Sequence, residues 1–513
     1  MQIKFTGAKP AVLLALGASA LALTGLGAAR LAAAPAASTA AGGTIAPAEF
    51  VKKANMRNPL LSPDGRYLAY LAGANGKEML VVLDLNDLSK PAKPILQAEE
   101  ARESGDRTLN GFRWVGSDNI VMTIQSREDL GRGLSDFRRL VAYNVATGKL
   151  VQQAWDGAGG DAAQILHIDH TKGQYLLQRD AVTGTTERWG FPEVVRVNVI
   201  TGAYTMVQRT NPIVRGWVAD SEGVVRAGFN QDRENGKFRM LYRSNDKQAF
   251  RTVFLEADKT FTQAPPTPQL FIPGSDMAYA MSRRDGFAKV YKMDMTTLKL
   301  SDPVYATPGF DVQAILTDYD DRELLGYRVF DGEMKIIYTD ARHREIQGFL
   351  DELFGKGEAR IIDTDRNADR LIVYAGGRAK GGGYYLYDTK TAKIDLLNWT
   401  RSAIKDAPLN PVKAEWVTTS DGTRIQVIVT TPRHRTGKAL PVVIMPHGGP
   451  FGVLSASNQL EPWNQPLAEA GYVVIQPNYR GSGGYGKKFE QMGREPGGYG
   501  VRMQDDLTDV LNH

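Results

Sequence analysis

Residues 440–486 read LPVVIMPHGGPFGVLSASNQLEPWNQPLAEAGYVVIQPNYRGSGGYG, and this stretch determines the fold of the C-terminal part of the chain. Two apolar runs, residues 441–445 and 472–476, are rich in β-branched side chains and too short for helices, so each predicts a buried strand. Between them, residues 458–471 have a helix-like composition and end on a glycine, as expected just past a helix C-terminus. This order predicts a parallel α/β sheet, whose ligands bind beyond the C-terminal ends of its strands.

Each predicted strand runs into a glycine-rich loop. His447-Gly448-Gly449-Pro450 follows the first strand, and residues 480–486 (RGSGGYG) follow the second. A glycine pair at a strand end lets bare backbone N–H groups face a developing oxyanion, as in hydrolases. The alternative is a plain tight turn in which His447 is only packed. The position of the loop at the C-terminal end of a parallel strand favours the oxyanion interpretation.

The second loop also matches a dinucleotide-binding pattern, because Gly481, Gly483 and Gly486 satisfy G-x-G-x-x-G and Asp505 lies at the distance of its acidic partner. That pattern belongs to the first βα turn and opens directly onto a helix. Here residues 487–498 are interrupted by glycines and a proline. We therefore reject a dinucleotide site.

The flanking segments complete the C-terminal part. Residues 416–432 predict a β-hairpin with Asp421-Gly422 at its turn. Residues 500–512 predict an amphipathic helix whose apolar side carries four residues. These are Val501, Leu507, Val510 and Leu511.

Length and composition exclude several classes of protein. At 513 residues the chain is too long for one core and predicts at least two domains. The net charge of +5 comes from 62 basic and 57 acidic residues that are interleaved, so no basic face for nucleic acid is predicted. The absence of cysteine excludes disulfides, thiol nucleophiles and cysteine-ligated zinc.

The N-terminus predicts export. Lys4 and Lys9 precede an apolar run at residues 11–26, and small residues follow it. This pattern is typical of a secretory signal peptide, here residues 1–37. An uncleaved membrane anchor is the alternative. The alanine-rich tail favours cleavage, which predicts a periplasmic or secreted protein with no stable membrane span.

Residues 44–408 predict a β-propeller. Short strands recur with Ser-Pro-Asp-Gly-type turns (residues 62–65) and Thr-Gly turns (residues 147–148 and 201–202) at a loose spacing. The length fits seven or eight blades, and we predict seven; a large β-sandwich or two stacked barrels are alternatives. One helix is predicted at residues 346–354. The pattern breaks near residues 402–412, so residues 409–513 form the second domain.

Two polar clusters in the propeller have alternative interpretations. His167, Asp169 and His170 resemble metal ligands, but a strand places the first two on one face and His170 on the other, so packing is favoured and no metal is predicted. Glu99-Glu100 offers carboxylates for a substrate amine, and an exposed charged loop explains this pair equally well.

The chain resembles the prolyl oligopeptidase family of serine peptidases, in its acylaminoacyl-peptidase and dipeptidyl-aminopeptidase-like branch. The resemblance is carried by residues 447–450, by residues 478–486 (NYRGSGGYG) and by residues 48–70 (AEFVKKANMRNPLLSPDGRYLAY). It spans nearly all of the chain after the signal peptide. The two loops together are specific for the family, whereas either alone is not.

The resemblance implies a fold that is mainly β plus α/β, in which a propeller covers an α/β-hydrolase domain and short peptides enter between them. It implies no cofactor. It also places His447, Gly448 and Gly449 on the oxyanion side, and Tyr479, Arg480 and Tyr485 become candidates for the substrate cleft. Some relatives have a tyrosine hydroxyl at the position of His447. The resemblance therefore implies that this chain depends more on backbone N–H donors to bind the oxyanion.

The family's catalytic serine lies in a G-x-S-x-G elbow, followed by aspartate and histidine. No serine of this chain lies in that motif; residues 219–223 (ADSEG) come nearest and form a propeller turn. The elbow is expected roughly twenty to thirty residues beyond His513. We therefore predict an incomplete hydrolase domain, an exposed strand edge at residues 441–445, and no activity of this chain alone.

Two other functions are compatible with the sequence. One is a non-catalytic propeller that binds peptides or a partner protein, and the other is an esterase of the same fold. No sequence feature fixes the cleavage preference or the oligomeric state.

Overall fold

The computed structural model describes residues 45–74, 77–98, 107–129, 134–181, 191–232, 237–257, 266–377, 380–405, 407–436, 439–458 and 463–513. The predicted signal peptide and Glu99-Glu100 lie outside these residues. Among the helices of the described segments, none is both long enough and apolar enough to cross a membrane.

Seven antiparallel sheets follow one another between residues 57 and 399 of the described chain, and each is one blade of the predicted propeller. The first three are blade 1, β1 (Arg57–Leu61), β2 (Tyr67–Ala74), β3 (Lys77–Asp84) and β4 (Lys93–Ala98); blade 2, β5 (Arg107–Trp114), β6 (Asn119–Asp129), β7 (Leu134–Asn144) and β8 (Leu150–Gln153); and blade 3, β9 (Gln164–Asp169), β10 (Gln174–Asp180), β11 (Pro192–Asn198) and β12 (Tyr204–Gln208).

The other four are blade 4, β13 (Gly216–Ala219), β14 (Val225–Asp232), β15 (Lys237–Tyr242) and β16 (Arg251–Ala257); blade 5, β17 (Pro268–Phe271), β18 (Met277–Ser282), β19 (Lys289–Asp294) and β20 (Leu300–Tyr305); blade 6, β21 (Val312–Thr317), β22 (Leu324–Phe330) and β23 (Met334–Tyr338); and blade 7, β24 (Ala359–Thr364), β25 (Arg370–Ala375), β26 (Gly383–Asp388) and β27 (Lys393–Trp399).

Five α-helices occur in the described residues: α1 (Pro47–Val51), α2 (Ala341–Phe354), α3 (Asn464–Glu469), α4 (Gly486–Met492) and α5 (Met503–Asn512). Helix α2 follows the three strands of blade 6 and confirms the helix predicted at residues 346–354. The Asp340 side chain caps it by accepting a hydrogen bond from the His343 amide. Ile346 and Leu350 bury its apolar side against blade 7.

A repeated turn joins the third and fourth strands of several blades. At its start, an Asn or Asp side-chain oxygen accepts a hydrogen bond from a threonine amide two or three residues later, which fixes the chain reversal locally. This residue is Asn144, Asn198, Asp294 or Asp388. The turn ends in the left-handed region, at Gly148 (φ +73°) and Gly202 (φ +72°), but also at Leu298 (φ +57°) and Ala392 (φ +51°).

We predict that Ala392→Gly stabilises the protein by roughly 1 kcal/mol, because a side chain in the left-handed region is strained and glycine removes that strain. The matched control is Gly148→Ala, which makes the opposite change in the equivalent turn of blade 2, where the added Cβ meets no atom closer than 3.9 Å. Urea unfolding should shift the two midpoints in opposite directions. Shifts of the same sign would contradict the strain argument.

Blade 1 and blade 7 meet through side chains and single hydrogen bonds, since β1 to β4 and β24 to β27 form separate sheets. Apolar residues of both blades form one buried cluster, which includes Leu61 and Ile372. At the seam, the Leu61 amide donates to Oδ2 of Asp363 over 2.6 Å. Burial raises the pKa of Asp363 to about 7. The ring of seven blades therefore closes through contacts between blades 1 and 7, and no strand is shared between these two blades.

The raised pKa of Asp363, at the contact between blades 1 and 7, predicts that the stability of the protein depends on pH. The folded state holds the Asp363 proton up to about pH 7, whereas an unfolded aspartate releases it near pH 4, so stability falls as the pH rises from about 4 to 7 and then stays level. Asp363→Asn keeps an acceptor for the Leu61 amide without the charge. We expect this variant to match the parent near pH 4 and to exceed it by on the order of a few kcal/mol at pH 8.

Urea titrations at both pH values measure this difference. Asp395→Asn is the control, because Asp395 pairs with Lys393 at the surface of the same blade. A gain for Asp363→Asn that is equal at both pH values would contradict the titration of this carboxyl.

Side-chain contacts join blades 1, 3, 6 and 7. The ring of Tyr319, after β21, lies 5.0 Å from that of His170, after β9, and the Tyr319 hydroxyl donates to the Leu61 carbonyl over 3.2 Å. Arg366, between β24 and β25, binds Asp320 and Thr171. Leu61, His170 and Tyr319 line a cavity of about 520 Å³ with mainly apolar walls.

His167 and His170 both belong to blade 3. Burial lowers the pKa of His167 and lowers that of His170 to about 4, so both rings are neutral at pH 7. In the described segments, no group of three or more His, Cys, Asp or Glu side chains is arranged to hold a metal ion. The His170 ring packs against the ring of Tyr319.

The C-terminal part forms an eighth sheet from β28 (Val412–Thr418), β29 (Arg424–Thr430), β30 (Val442–Ile444) and β31 (Val473–Asn478), in the order β28-β29-β31-β30. The predicted hairpin is confirmed, because β28 and β29 pair antiparallel around Asp421-Gly422. The predicted parallel pair is also confirmed, because β30 and β31 run in the same direction.

The chain passes between the propeller and this sheet along two neighbouring segments. Before β1, the Asn55 amide donates to the Thr400 carbonyl, and Phe50 of α1 packs with Ile404 and Leu409. The Ile45 amide donates to Glu469 of α3. Residues 45–55 therefore lie against the α/β part.

Candidate active site

The parallel pairing of β30 and β31 brings the two glycine-rich loops together. Val442 pairs with Val473 and Ile444 with Ile475, so both strands end at the same edge of the sheet. The Tyr479 hydroxyl donates to the His447 carbonyl over 2.8 Å, and the two rings stack at 4.9 Å. His447, at the start of the first loop, is thus in direct contact with Tyr479, the residue just before the second loop.

His447 also contacts the second loop through its ring. Its Nε2 lies 2.8 Å from Oγ of Ser482, and its Nδ1 lies 2.9 Å from the Gly448 carbonyl oxygen. Ser482 is fully buried, and its Oγ lies 2.6 Å from the Tyr479 carbonyl oxygen. Burial lowers the pKa of His447. Because the Ser482 hydroxyl is buried and donates to the Tyr479 carbonyl oxygen, Ser482 and His447 do not form a nucleophilic dyad.

The glycine pair after His447 is open to solvent. Gly448 and Gly449 are exposed, and neither amide donates a hydrogen bond within the described residues. Gly449 has φ +113°, a conformation that glycine adopts without strain. Two unpartnered N–H groups at the C-terminal end of a parallel strand can bind an oxyanion.

The two loops also touch along their backbones. The Gly483 amide donates to the Val453 carbonyl over 2.9 Å. A Cβ at Gly483 would lie 2.7 Å from the carbonyl carbon of Gly452, closer than real Cβ atoms approach. Gly483 is therefore required for this contact.

Arg480, a predicted cleft residue, lies inside the α/β part. Its side chain is 5% exposed and binds both oxygens of Asp506, which is fully buried on α5. Its Nη1 donates to Asp421 over 2.8 Å. Its hydrogen bonds to Asp506 and Asp421 raise the pKa of the Arg480 guanidinium, and the hydrogen bond from Arg480 holds the pKa of Asp421 well below its usual range. These contacts join the second loop, the hairpin turn and α5.

The same ion pair changes the predicted face of the last helix. Helix α5 begins only at Met503, because Gly500 has φ +74° and breaks the helical path. Val501 and Leu511 are each 56% exposed, so the predicted apolar side is wrong for these two residues. The buried side carries Met503, Asp506 and Val510.

Tyr485, another predicted cleft residue, lies between the α/β part and the propeller. Its hydroxyl donates to Gln426 over 2.7 Å and accepts from the Asn478 side chain over 2.7 Å. Its ring packs against Phe310 and Phe330 of the propeller. Burial raises the pKa of Tyr485 far above its usual value. The structure thus places Tyr485 in the interdomain contact.

A buried carboxylate joins the same loop to the propeller. Asp311, 2% exposed just before β21, accepts hydrogen bonds from the Gly486 amide over 3.2 Å and from Arg283 over 2.9 Å. Arg283 also pairs with Glu490 of α4 at 2.6 Å. Sequence reasoning missed these three charged residues, since no local pattern relates positions so far apart in the chain.

Comparisons with known proteins agree with this architecture. The profile described as prolyl oligopeptidase family matches residues 458–513. Dipeptidyl aminopeptidase BIII of Pseudoxanthomonas mexicana is 26% identical over 481 residues, which cover 88% of this chain and 63% of that protein. The chain is thus similar to the prolyl oligopeptidase family. Dipeptidyl-peptidase 5 of Porphyromonas gingivalis is 34% identical over 251 residues, which are 47% of this chain and 35% of that protein.

Solved structures show the same fold. A puromycin-hydrolyzing peptidase of Mycobacterium tuberculosis superposes with a TM-score of 0.59 at 14% identity, over 92% of this chain and 73% of that chain. The chain spans less than two thirds of the dipeptidyl aminopeptidase that it resembles over most of its own length.

We predict that Asp506→Asn lowers the free energy of unfolding by about 3–5 kcal/mol, because it removes one charge of a buried pair and leaves Arg480 buried. Asp505→Asn is the control, since Asp505 is its exposed neighbour on α5 and should change stability by no more than about 0.5 kcal/mol. Urea unfolding followed by tryptophan fluorescence measures both. Equal effects of the two substitutions would show that the buried pair does not support the loop.

Proposed function

We propose that this chain forms the propeller and the oxyanion side of an exported serine peptidase that hydrolyses short peptides by acyl transfer. The observation that carries the proposal is the exposed, unpartnered Gly448-Gly449 pair at the C-terminal end of β30. The similarity to the prolyl oligopeptidase family supports a serine nucleophile. The names of the relatives, a dipeptidyl aminopeptidase and a dipeptidyl-peptidase, favour release of dipeptides.

In this mechanism a serine hydroxyl attacks the peptide carbonyl, its proton passes to a histidine, and the carbonyl oxygen becomes an oxyanion. The Gly448 and Gly449 amides are positioned to donate to that oxyanion as charge develops on it. Loss of one such donor typically lowers kcat by about 10²–10³. The amine then leaves with the proton, and water releases the acyl group by the same steps.

We further propose that the nucleophile belongs to sequence that follows residue 513 in a longer protein. Ser482 cannot act as the nucleophile, because it is buried and its hydroxyl is held by the loops. Strand β30 supports a missing neighbour: among the described strands it pairs with β31 alone, and Val442 is 42% exposed. An uncovered apolar strand edge normally pairs with another strand.

Export is part of the same proposal. The basic, apolar and small-residue pattern of residues 1–37 supports a cleaved signal peptide and a periplasmic or secreted protein. The chain has no cysteine and therefore needs no disulfide in an oxidising compartment.

A serine-directed fluorophosphonate probe tests the proposal. We expect the 513-residue chain to remain unlabelled, because no described serine is paired with a histidine and a carboxylate. A chain extended through the following coding sequence, to the end of its open reading frame, should be labelled at one serine. Boiled protein controls for non-specific reaction.

Two results would contradict the proposal. Stoichiometric labelling of the 513-residue chain would place the nucleophile within it. Absence of labelling in the extended chain would favour a non-catalytic propeller. With the extended chain before it is treated with the probe, faster hydrolysis of free dipeptidyl amides than of N-blocked amides or simple esters would identify the dipeptidyl-peptidase class.

A further inference from the structure

We propose that the cavity of about 520 Å³ in the propeller is a binding site for a small uncharged aromatic alcohol, whose hydroxyl group forms a hydrogen bond with Nε2 of His343. The residues that line this cavity come from blades 1, 2, 3, 6 and 7 and from α2, and none comes from the α/β part. The inference therefore goes beyond the proposed peptidase function and does not depend on it.

The size and the walls of the cavity are those of a small-molecule site. Such sites typically measure about 300–1,000 Å³ and have mainly apolar walls with a few polar groups. The Phe, Trp and Tyr side chains that line this one are Phe112, Trp114, Tyr319 and Tyr338. The polar atoms of two of them are already used, because the Trp114 indole donates to the Leu60 carbonyl and the Tyr319 hydroxyl to the Leu61 carbonyl. Aromatic walls of this kind favour an aromatic ligand.

The polar group that the cavity offers most clearly is the imidazole of His343, near the start of α2. This residue is only 7% exposed, and its Nδ1 lies 2.8 Å from Oδ2 of Asp340. A carboxylate oxygen accepts, so Nδ1 carries the proton and Nε2 of the neutral ring is an acceptor. Within the described segments no group donates to this Nε2. Because a buried acceptor without a donor is costly, a ligand that donates to it gains affinity.

A second polar group lies beside the histidine. The ring centroid of Tyr338 is 5.3 Å from that of His343, and its hydroxyl has no hydrogen-bond partner in the described part of the chain. Burial raises the pKa of Tyr338 far above its usual value, so the hydroxyl stays protonated and can donate. An alcohol both donates and accepts, whereas a ketone or an ether only accepts. This pair of groups therefore favours an alcohol.

The charges around the cavity favour an uncharged ligand. Burial raises the pKa of Asp363 to about 7 and lowers that of His170 to about 4, and both residues line the cavity. The same surroundings thus disfavour a negative charge and a positive charge. Arg113 and Asp318 also line the cavity, and their charges are of opposite sign.

Equilibrium dialysis of the 513-residue chain against three naphthalene derivatives tests the inference. We expect 2-naphthol to bind saturably and one-to-one, with a dissociation constant below about 1 mM. Its analogue 2-methylnaphthalene has a methyl group in place of the hydroxyl and should bind about tenfold more weakly, the weight of one buried hydrogen bond. The anion 2-naphthoate should bind more weakly than both.

Matched variants assign the hydrogen bond to His343. His343→Phe keeps a ring and removes Nε2, so the affinity for 2-naphthol should fall about tenfold while that for 2-methylnaphthalene stays the same. His434→Phe is the control, because His434 is exposed in the α/β part, and it should change neither affinity. Tyr338→Phe removes only a hydroxyl and should weaken the binding of 2-naphthol alone. Unchanged binding of 2-methylnaphthalene shows that a variant is folded.

Three results would overturn the inference: no saturable binding of 2-naphthol, binding of 2-naphthoate as tight as that of 2-naphthol, or parental affinity for 2-naphthol in His343→Phe. If His343→Phe does not fold and loses both neutral compounds, Tyr338→Phe decides. A selective loss of 2-naphthol in that variant supports the site, and parental binding of 2-naphthol contradicts it.

Discussion

The parallel pairing of β30 with β31 is the constraint on which the site depends. Parallel strands end at the same edge of a sheet, so the loops that follow them meet there, although about thirty residues separate them in the chain. Antiparallel pairing would have sent the loops to opposite edges. The contacts of Tyr479 with His447, of Ser482 with His447 and of Gly483 with Val453 all follow from this direction.

Much of the architecture could be predicted because local sequence patterns determine it. The turns at residues 62–65 and 147–148 indicate strand reversals by their own chemistry, and their repetition indicates blades. The seven sheets between residues 57 and 399 of the described chain agree with the seven predicted blades. The short apolar runs at residues 441–445 and 472–476 are β30 and β31, and their glycine loops lie together as the parallel sheet required.

The partners of the site residues and the buried side of the last helix could not be predicted, because they depend on residues that are distant in sequence. Arg480 is surrounded by Asp506 and Asp421, and Tyr485 by Gln426, Phe310 and Phe330, none of which a local pattern connects to the loop. Helix α5 shows the same difficulty. The spacing of apolar residues in the sequence predicts that Val501 and Leu511 are buried. In the structure the buried ion pair turns Asp506 inward instead, and Gly500 delays the start of the helix to Met503.

The two chain segments that connect the propeller to the α/β part have a mechanical consequence. They run side by side next to blades 7 and 1, linked by the Asn55–Thr400 hydrogen bond, whereas the contacts of Asp311 and Arg283 with residues 486 and 490 lie at blades 5 and 6 and are all non-covalent. The two parts are therefore connected through the chain on one side and by non-covalent contacts on the side of blades 5 and 6. Any separation of the two parts on the side of blades 5 and 6 therefore breaks only non-covalent contacts, whereas the chain itself holds the parts together near residues 55 and 400.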